Sequence, residues 1–367
     1  MTDRDNTCRA CGHLGLQRVL DLGAVPAADH FPPAGEPVAA DECAHPLAMD
    51  LCPACGLAQL SEDDTVTDEP RGVEPQALRD QAADAVRLVE AAGLLPGGTV
   101  REFGSPHGGT WVPLLTERGY IDRSEEPGPA DIVLDCFGIM HEPDQQAAFR
   151  QRAQATAPDG VLLLQYHSIA TIIRDGQWNA LRHGHFAYYS LTSLVRQLAA
   201  VGMAVVAAWE FDLYGGTVLV AAVHSGGRPT QTTVGRLLAD EQELGVLGPE
   251  AFRSLQAAAD VDIVELQTWM KEENAAGRDV YGYAAASRAV ALFARAGLDA
   301  DLLKGVADAS DAKQGRRMPG TDIPIITPSE LVAADPDLVL LTVPDLFDEV
   351  SRRHPALADR LCTDRPH

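Results

Sequence analysis

Four of the seven cysteines stand in two Cys-x-x-Cys pairs, Cys8/Cys11 and Cys52/Cys55, each followed at once by a glycine, Gly12 or Gly56. Two such pairs bring four thiolates, the full tetrahedral shell of a zinc ion, and the glycine relieves the tight turn that each pair makes. A redox dithiol or a chance spacing is the alternative. A shell of four thiolates leaves no open position, so the ion would be structural. A second set of residues has the chemistry to move protons. Arg182-His183-Gly184-His185-Phe186-Ala187-Tyr188-Tyr189-Ser190 crowds two imidazoles and two phenols into one loop. An imidazole can take the proton from a carbon beside a ketone while a phenol polarises the carbonyl oxygen, and hydrogen-bonded packing of the histidines is the alternative. Met140-His141-Glu142-Pro143-Asp144 adds a third histidine just past a strand end. The run Glu102-Phe103-Gly104-Ser105-Pro106-His107-Gly108-Gly109 is a glycine turn that lets a nucleoside or carboxylate approach the backbone, or is a turn and nothing more.

These groups need a scaffold to position them. At 367 residues, with 46% hydrophobic side chains, the chain is long enough for two or three packed domains. Against 29 basic residues stand 53 acidic ones, a net charge of −24, which argues against binding to a phosphate backbone such as nucleic acid. No apolar stretch reaches the roughly 18 residues of a membrane span, and Met1 to Asn6 is polar, without the core of a signal peptide. A cytoplasmic protein without membrane or nucleic-acid partners is expected. In that reducing compartment the cysteines form no disulfide framework. Cys43 and Cys136 are read as packing residues, and Cys362 as part of a frayed tail.

Residues 1–62 carry the two cysteine pairs and few core-forming residues, so this zinc-binding module is expected to need its metal as a staple. Ser61-Glu62-Asp63-Asp64 and the stretch to Pro75 read as a linker. From 76 to 224, helices at Gln76 to Ala92, Trp111 to Arg118, Gln145 to Ala157 and Leu191 to Val201 alternate with strands. The strands are Thr99 to Phe103, Asp131 to Leu134, Val161 to Tyr166, Ala204 to Trp209 and Thr217 to Val223. Such alternation implies a parallel α/β sheet of Rossmann type. In 225–367 a helical stretch, Thr232 to Asn274, leads to a strand at Asp279 to Tyr283, a helix at Ala284 to Ala296 and a strand at Leu338 to Val343, a second α/β unit.

The ordered set resembles a known family, the zinc-containing sugar C-methyltransferases, which methylate a carbon next to the ketone of a nucleotide-linked deoxysugar. The resemblance is carried by Cys8/Cys11, by Cys52/Cys55 with Gly56-Leu57-Ala58-Gln59-Leu60, and by the turn at Gly104. It continues through His141-Glu142-Pro143-Asp144, Pro158-Asp159-Gly160-Val161, His183-Gly184-His185 with Tyr188-Tyr189-Ser190, and Gly215-Gly216-Thr217. It ends with Tyr281-Gly282-Tyr283-Ala284-Ala285-Ala286, Lys313-Gln314-Gly315-Arg316 and Pro319-Gly320-Thr321-Asp322-Ile323-Pro324-Ile325, and so spans nearly the whole chain. It implies a zinc module, a class I methyltransferase domain for S-adenosylmethionine and a C-terminal α/β domain, with the nucleotide-sugar held between the last two. Carried over residue by residue, the base that makes the enolate falls on His185, with His183, His141 and Tyr188 beside it. Glu102, Gly104, Ser105, Gly108 and Asp135 are implied at the cofactor, and Tyr166, Arg182, Tyr281, Arg288, Lys313 and Arg316 at the substrate.

The chain also departs from the family. About ten residues separate Gly119 from Ala130, too few for the further helices and strands of a full class I domain, so the domain is read as truncated. Asp122, Glu125 and Glu126 follow no strand, and no acid can be assigned to the cofactor ribose. Asp68 to Arg79 lacks the family's tyrosines, Gly184 replaces a glutamate, Arg182 replaces a tyrosine, and bulky Trp111 falls close to where the cofactor would lie. Three functions follow: a C-methyltransferase, a cofactor-independent epimerase, isomerase, dehydratase or cyclase using the same base, and a non-catalytic partner protein.

Overall fold

The computed structural model describes residues 7–65, 74–106, 108–224 and 228–363; the termini, the middle of the expected linker and His107 lie outside the described residues. The N-terminal unit is an antiparallel ribbon of β1 (Gln17–Val25), β2 (His45–Leu51) and β3 (Ala58–Leu60). The central unit runs α1 (Gln76–Ala91), β4 (Thr99–Phe103), α2 (Val112–Thr116), β5 (Ile121–Asp122), β6 (Ala130–Cys136), α3 (Gln145–Ala155), β7 (Thr156–His167), α4 (Ile169–Arg174), β8 (Ala187–Tyr188), α5 (Leu191–Ala200), β9 (Met203–Phe211) and β10 (Thr217–His224). The C-terminal unit runs α6 (Thr232–Leu244), α7 (Arg253–Ala275), β11 (Val280–Tyr283), α8 (Ser287–Arg295), β12 (Val306–Ala307), β13 (Ile325–Ile326), α9 (Pro328–Ala334), β14 (Leu338–Leu341), α10 (Phe347–Arg353) and β15 (Leu361–Thr363).

The central sheet has the order β5-β4-β6-β7-β10-β9. Its inner strands are apolar without alternation, Ile132 to Leu134 and Val161 to Leu164 being buried on both faces, because α1 covers one side with Ala82, Ala85, Val86 and Val89 and α3 and α5 cover the other. The expected all-parallel sheet is corrected at one edge. β10 runs antiparallel to both β7 and β9 because the turn from β9 holds only Asp212 to Gly216, and a parallel return needs a dozen residues or more. β5 adds a strand where none was expected. It is two residues long, pairs in parallel with β4 through Thr99 and Val100, and ends on Asp122, so an acid does follow a strand there.

The C-terminal sheet, β13-β12-β11-β14-β15, is parallel throughout. The long helical stretch before it is two helices, because Gly245 turns left-handed at φ 75° and Pro249 follows. The helix expected from Ala284 starts at Ser287, since Ala284 has φ 72° and its N–H still bonds Ala307. Cys362 is not frayed: it pairs with Leu340 on the edge of the sheet.

The N-terminal ribbon is far from core-poor. Leu20, Leu22, Leu47, Met49 and Leu51 are at most 1% exposed and share one apolar core with Phe252, Leu255 and Ile263 of the α7 segment and Val290 and Phe293 of α8. It borrows its core from the C-terminal unit. An ion pair pins the same contact: Arg317, 2% exposed, forks onto Glu42 at 2.7 and 2.8 Å, and Gly320 donates to the same carboxylate. Burial pushes the Glu42 carboxyl up, but Arg317 and the Gly320 and Ala39 amides more than offset this and hold it below its ordinary value. A depressed carboxyl contributes stability above its unfolded pKa, about 4.3, and that stability is lost as pH falls through the folded value. Glu42→Gln is therefore expected to cost about 2 kcal/mol at pH 7 and to flatten the acid limb of the urea midpoint against pH; an unchanged acid limb would contradict this.

Candidate functional site

The four cysteine sulfurs lie within 4.8 Å of one another, with Cys8 and Cys55 3.5 Å apart and Cys11 and Cys52 3.6 Å apart. Tetrahedral zinc at about 2.3 Å from each sulfur needs edges of about 3.8 Å, so the donor set fits the ion. The two knuckles are built alike. Gly12 N–H bonds Cys8 O and Gly56 N–H bonds Cys52 O, with both glycines left-handed at φ 72° and 79°. The Cys55 thiol donates to Cys8 and brings it down to about 5 against its burial, while burial pushes Cys11 up to about 11. Cys8 thus favours the thiolate and Cys11 the thiol, a conflict that a bound dication removes. None of the four lines the cleft described next, which suits a structural ion.

That cleft, of about 300 Å³, opens at the C-terminal ends of β4, β6 and β7 and is closed by the C-terminal unit. Strand order reverses between β4 and β6, the place where open α/β sheets hold ligands. There Gly104 and Gly138 bring the two strand ends so close that a Cβ on Gly138 would meet Gly104 O at 3.0 Å. Ser105 and Gly108 of the first turn line the cleft, with Arg182, His185 and Tyr188 of the imidazole loop and Arg288, Lys313 and Arg353 of the C-terminal unit. Backbone strain gathers here: Phe137, Tyr214 and Ala284, at φ 64°, 53° and 72°, all line it, and the rings of Phe137 and Tyr214 meet edge to face.

His185 is 4% exposed, and its Nε2 accepts from Arg182 Nε at 2.8 Å, so Nε2 carries the lone pair. His141 stacks edge-on against it at 4.4 Å and reaches Gly184 O through Nδ1 at 2.9 Å. Gly184, at φ 76°, also gives its N–H to Asp63 at 2.7 Å, so the turn is clamped from both sides. The Tyr188 ring lines the cleft, but its hydroxyl is committed to the backbone of Ala180 and Arg182, and burial pushes it up. His183 is not brought to the cleft. Its Nε2 reaches Pro46 O at 3.2 Å and its ring faces His45, so it joins the loop to β2.

Of the residues expected at the cofactor, Ser105 and Gly108 face the cleft, and Gly104 stands at its strand end with no atom within 4 Å of a Cβ. Glu102 and Asp135 shape the turns instead. Glu102 takes the Trp111 N–H and the Thr110 hydroxyl; Asp135, fully buried, takes the Gly138 and Ile139 amides and pairs with Arg152 at 2.8 Å. Trp111 is turned into the core beside α1 and leaves the cofactor side open. Asp122 accepts from the Ser124 amide and hydroxyl at the end of β5. The glycine cradle and open strand ends fit S-adenosylmethionine, while Asp122 closes the second strand without lining the cleft.

Among the substrate candidates Arg182, Arg288 and Lys313 converge on the cleft, Lys313 bonding Ala285 O at 2.8 Å. Tyr166 lies on the far side of β7 against Tyr189, Tyr281 packs in the C-terminal core, and Arg316 bonds Phe31 O at 2.6 Å. These three are not brought to the cleft, because strand alternation and the contact with the N-terminal unit turn them elsewhere. Sequence reasoning missed His167, Tyr214 and Asp63. The acidic run read as linker gave no sign that one of its carboxylates anchors the loop.

Three family models match in tandem: a zinc binding domain at residues 8–67, a methyltransferase domain at 76–208 and the C-methyltransferase C-terminal domain at 212–362. The C-methyltransferase NovU of Streptomyces niveus is 27% identical over an alignment of 386 positions, which covers 93% of this chain and 91% of that protein. Among solved structures, a magnesium protoporphyrin IX methyltransferase of Synechocystis overlaps 42% of this chain and 90% of its own at 14% identity and a TM-score of 0.30. The CcbJ methyltransferase of Streptomyces caelestis overlaps 41% and 97% at 13% identity and a TM-score of 0.31. Fold and site thus define a methyltransferase-like enzyme with a structural zinc module. The three matched domains stand in the order zinc-binding, methyltransferase and C-methyltransferase C-terminal, and in this the chain is similar to the zinc-containing C-methyltransferases. No helix among the described residues is long and apolar enough to cross a membrane.

Proposed function

We propose that the chain acts on a nucleotide-linked keto sugar, which its units 76–224 and 225–367 hold between them while the unit 1–62 braces the imidazole loop. The observation that carries this reading is electrostatic. In a chain of net charge −24, Arg182, Arg288, Lys313 and Arg353 line one cleft, where a low-dielectric wall focuses their field on an anion such as a diphosphate. Asp308, Glu349 and Glu74 share the rim, Glu349 pairing with Arg353 at 3.3 Å.

His185 is the base. When the substrate's phosphate draws Arg182 away, the Nε2 lone pair that Arg182 had engaged takes the proton from the carbon beside the ketone. The electron pair left behind moves onto the carbonyl oxygen, stabilised by the cationic wall. His141 and Asp63 hold the loop through Gly184 while this happens. S-adenosylmethionine, held by Ser105 and Gly108, would supply the methyl group that the carbanion accepts. Enolisation without that cofactor is the second reading, favoured by the shortness of the segment between Gly119 and Ala130, where the only strand is β5.

Calorimetry tests the substrate side. Uridine diphosphate should bind, and Arg288→Met should weaken it about tenfold while leaving the affinity for S-adenosylmethionine unchanged. An Arg288→Met protein that binds the diphosphate as wild type does would contradict the reading.

A further inference from the structure

His167 closes β7 and lines the cleft, yet no step above uses it. Its Nε2 stands 3.1 Å from Oε1 of Gln177. Which nitrogen carries the proton follows from the far end of that amide. Gln177 Nε2 donates to Gly215 O at 2.8 Å and reaches the Asp175 carboxylate at 3.4 Å, and both of those partners only accept. The oxygen of the amide must therefore face the imidazole, and it too only accepts, so His167 donates through Nε2–H. Gly215 is part of the device: at φ 76°, a Cβ there would meet the Gln177 amide at 2.2 Å, so only glycine lets the amide reach the carbonyl. The ring is also kept uncharged. Burial and the neighbouring Arg288 and Arg182 charges bring its pKa down to about 3, while Gln177 opposes them weakly. A neutral imidazole with Nε2–H committed has one polar atom left, the bare lone pair of Nδ1, which takes no hydrogen bond from any described residue.

A lone pair of this kind has a chemical meaning in this cleft. The neighbouring Arg182, Arg288 and Lys313 only donate, and they select anionic oxygens. Nδ1 only accepts; it repels phosphate oxygens and carbonyls and rewards an O–H or N–H. We propose that His167 is a specificity-determining residue that accepts a hydrogen bond from a hydroxyl of the ligand's sugar, beside the phosphate held by Arg182 and Arg288. The proposal rests on the nucleotide-sugar reading and deepens it: the ligand must pair an anionic group with a neighbouring hydroxyl donor.

Two probes separate the inference from the reading beneath it. Wild-type protein is titrated with uridine diphosphate and with uridine diphosphate-glucose, and His167→Phe, which keeps the ring and removes both nitrogens, is titrated alongside. The expected result is unchanged affinity for the diphosphate and about tenfold weaker binding of the sugar nucleotide. Equal loss on both probes, or loss on neither, overturns the role given to His167. Failure of the wild type to bind either probe overturns the nucleotide-sugar reading, and the proposal falls with it. The tautomer is read separately on the full chain by long-range nitrogen-15 correlation of labelled histidines, the His167 signal being identified by its absence in the variant. The Nε2–H form is expected, and the Nδ1–H form would overturn the argument. Should His167→Phe not fold, Gln177→Leu is the second variant, expected to release the tautomer and to weaken the sugar nucleotide alone.

Discussion

Cys52→Ser is expected to strip the metal and take the cleft down with it. Apparent binding on the order of 10 kcal/mol is folding energy for a small zinc module, and one missing thiolate forfeits most of it. The loss does not stay local. β3 pairs with β8 through Ala58 opposite Tyr188 and Gln59 opposite Ala187, and the Leu60 amide bonds Phe186 O, so the strand that ends the imidazole loop hangs on the zinc ribbon. The ribbon also shares its apolar core with α7 and α8, behind the cationic wall. Zinc content should fall from one ion per chain to near zero, the melting temperature by more than about 10 °C, and turnover with them. A Cys52→Ser protein that keeps its melting temperature without metal would show that the ribbon's apolar contacts suffice.

His185→Asn should do the opposite: abolish chemistry and spare the fold. A general base contributes about 10² to 10⁴ in rate, so kcat should drop by at least that lower figure. Zinc content and melting temperature should stay near wild type, because the ring's contacts with Arg182 and the edge of His141 belong to the cleft and its loop, away from the four cysteines and the shared apolar core. The two variants form a pair. Loss of turnover with retained zinc in one, and loss of both in the other, separates catalysis from scaffolding.

How much of this could be read from the sequence depended on what each residue's neighbours revealed. The cysteine pairs were legible because metal geometry dictates their spacing, and most strands and helices because buried parallel strands are apolar runs and helices repeat every three to four residues. β5 was not legible: two residues carry no periodicity, and its strand character comes from pairing with Thr99 and Val100. The ribbon was read as core-poor because its apolar residues find their partners some 230 to 270 positions later, in α7 and α8, a contact no local pattern encodes. Asp135 and Glu102 sat where cofactor ligands belong, yet the need to satisfy turn amides at strand ends claimed their oxygens. His167 escaped notice for the converse reason. It ends an apolar strand outside any cluster, and its significance lies in Gln177 and Gly215, residues 10 and 48 positions away that the fold alone brings to it.

The proposed chemistry begins when His185 lifts a proton from a carbon beside a ketone. Wash-in of solvent deuterium into a 4-keto sugar nucleotide, followed by mass spectrometry with and without S-adenosylmethionine, measures that step alone. Wild-type protein should place deuterium on the carbon next to the carbonyl faster than the buffer does, and His185→Asn should exchange no faster than buffer. Exchange at the wild-type rate in His185→Asn, or none above buffer in wild-type protein that binds the ligand, would contradict the account.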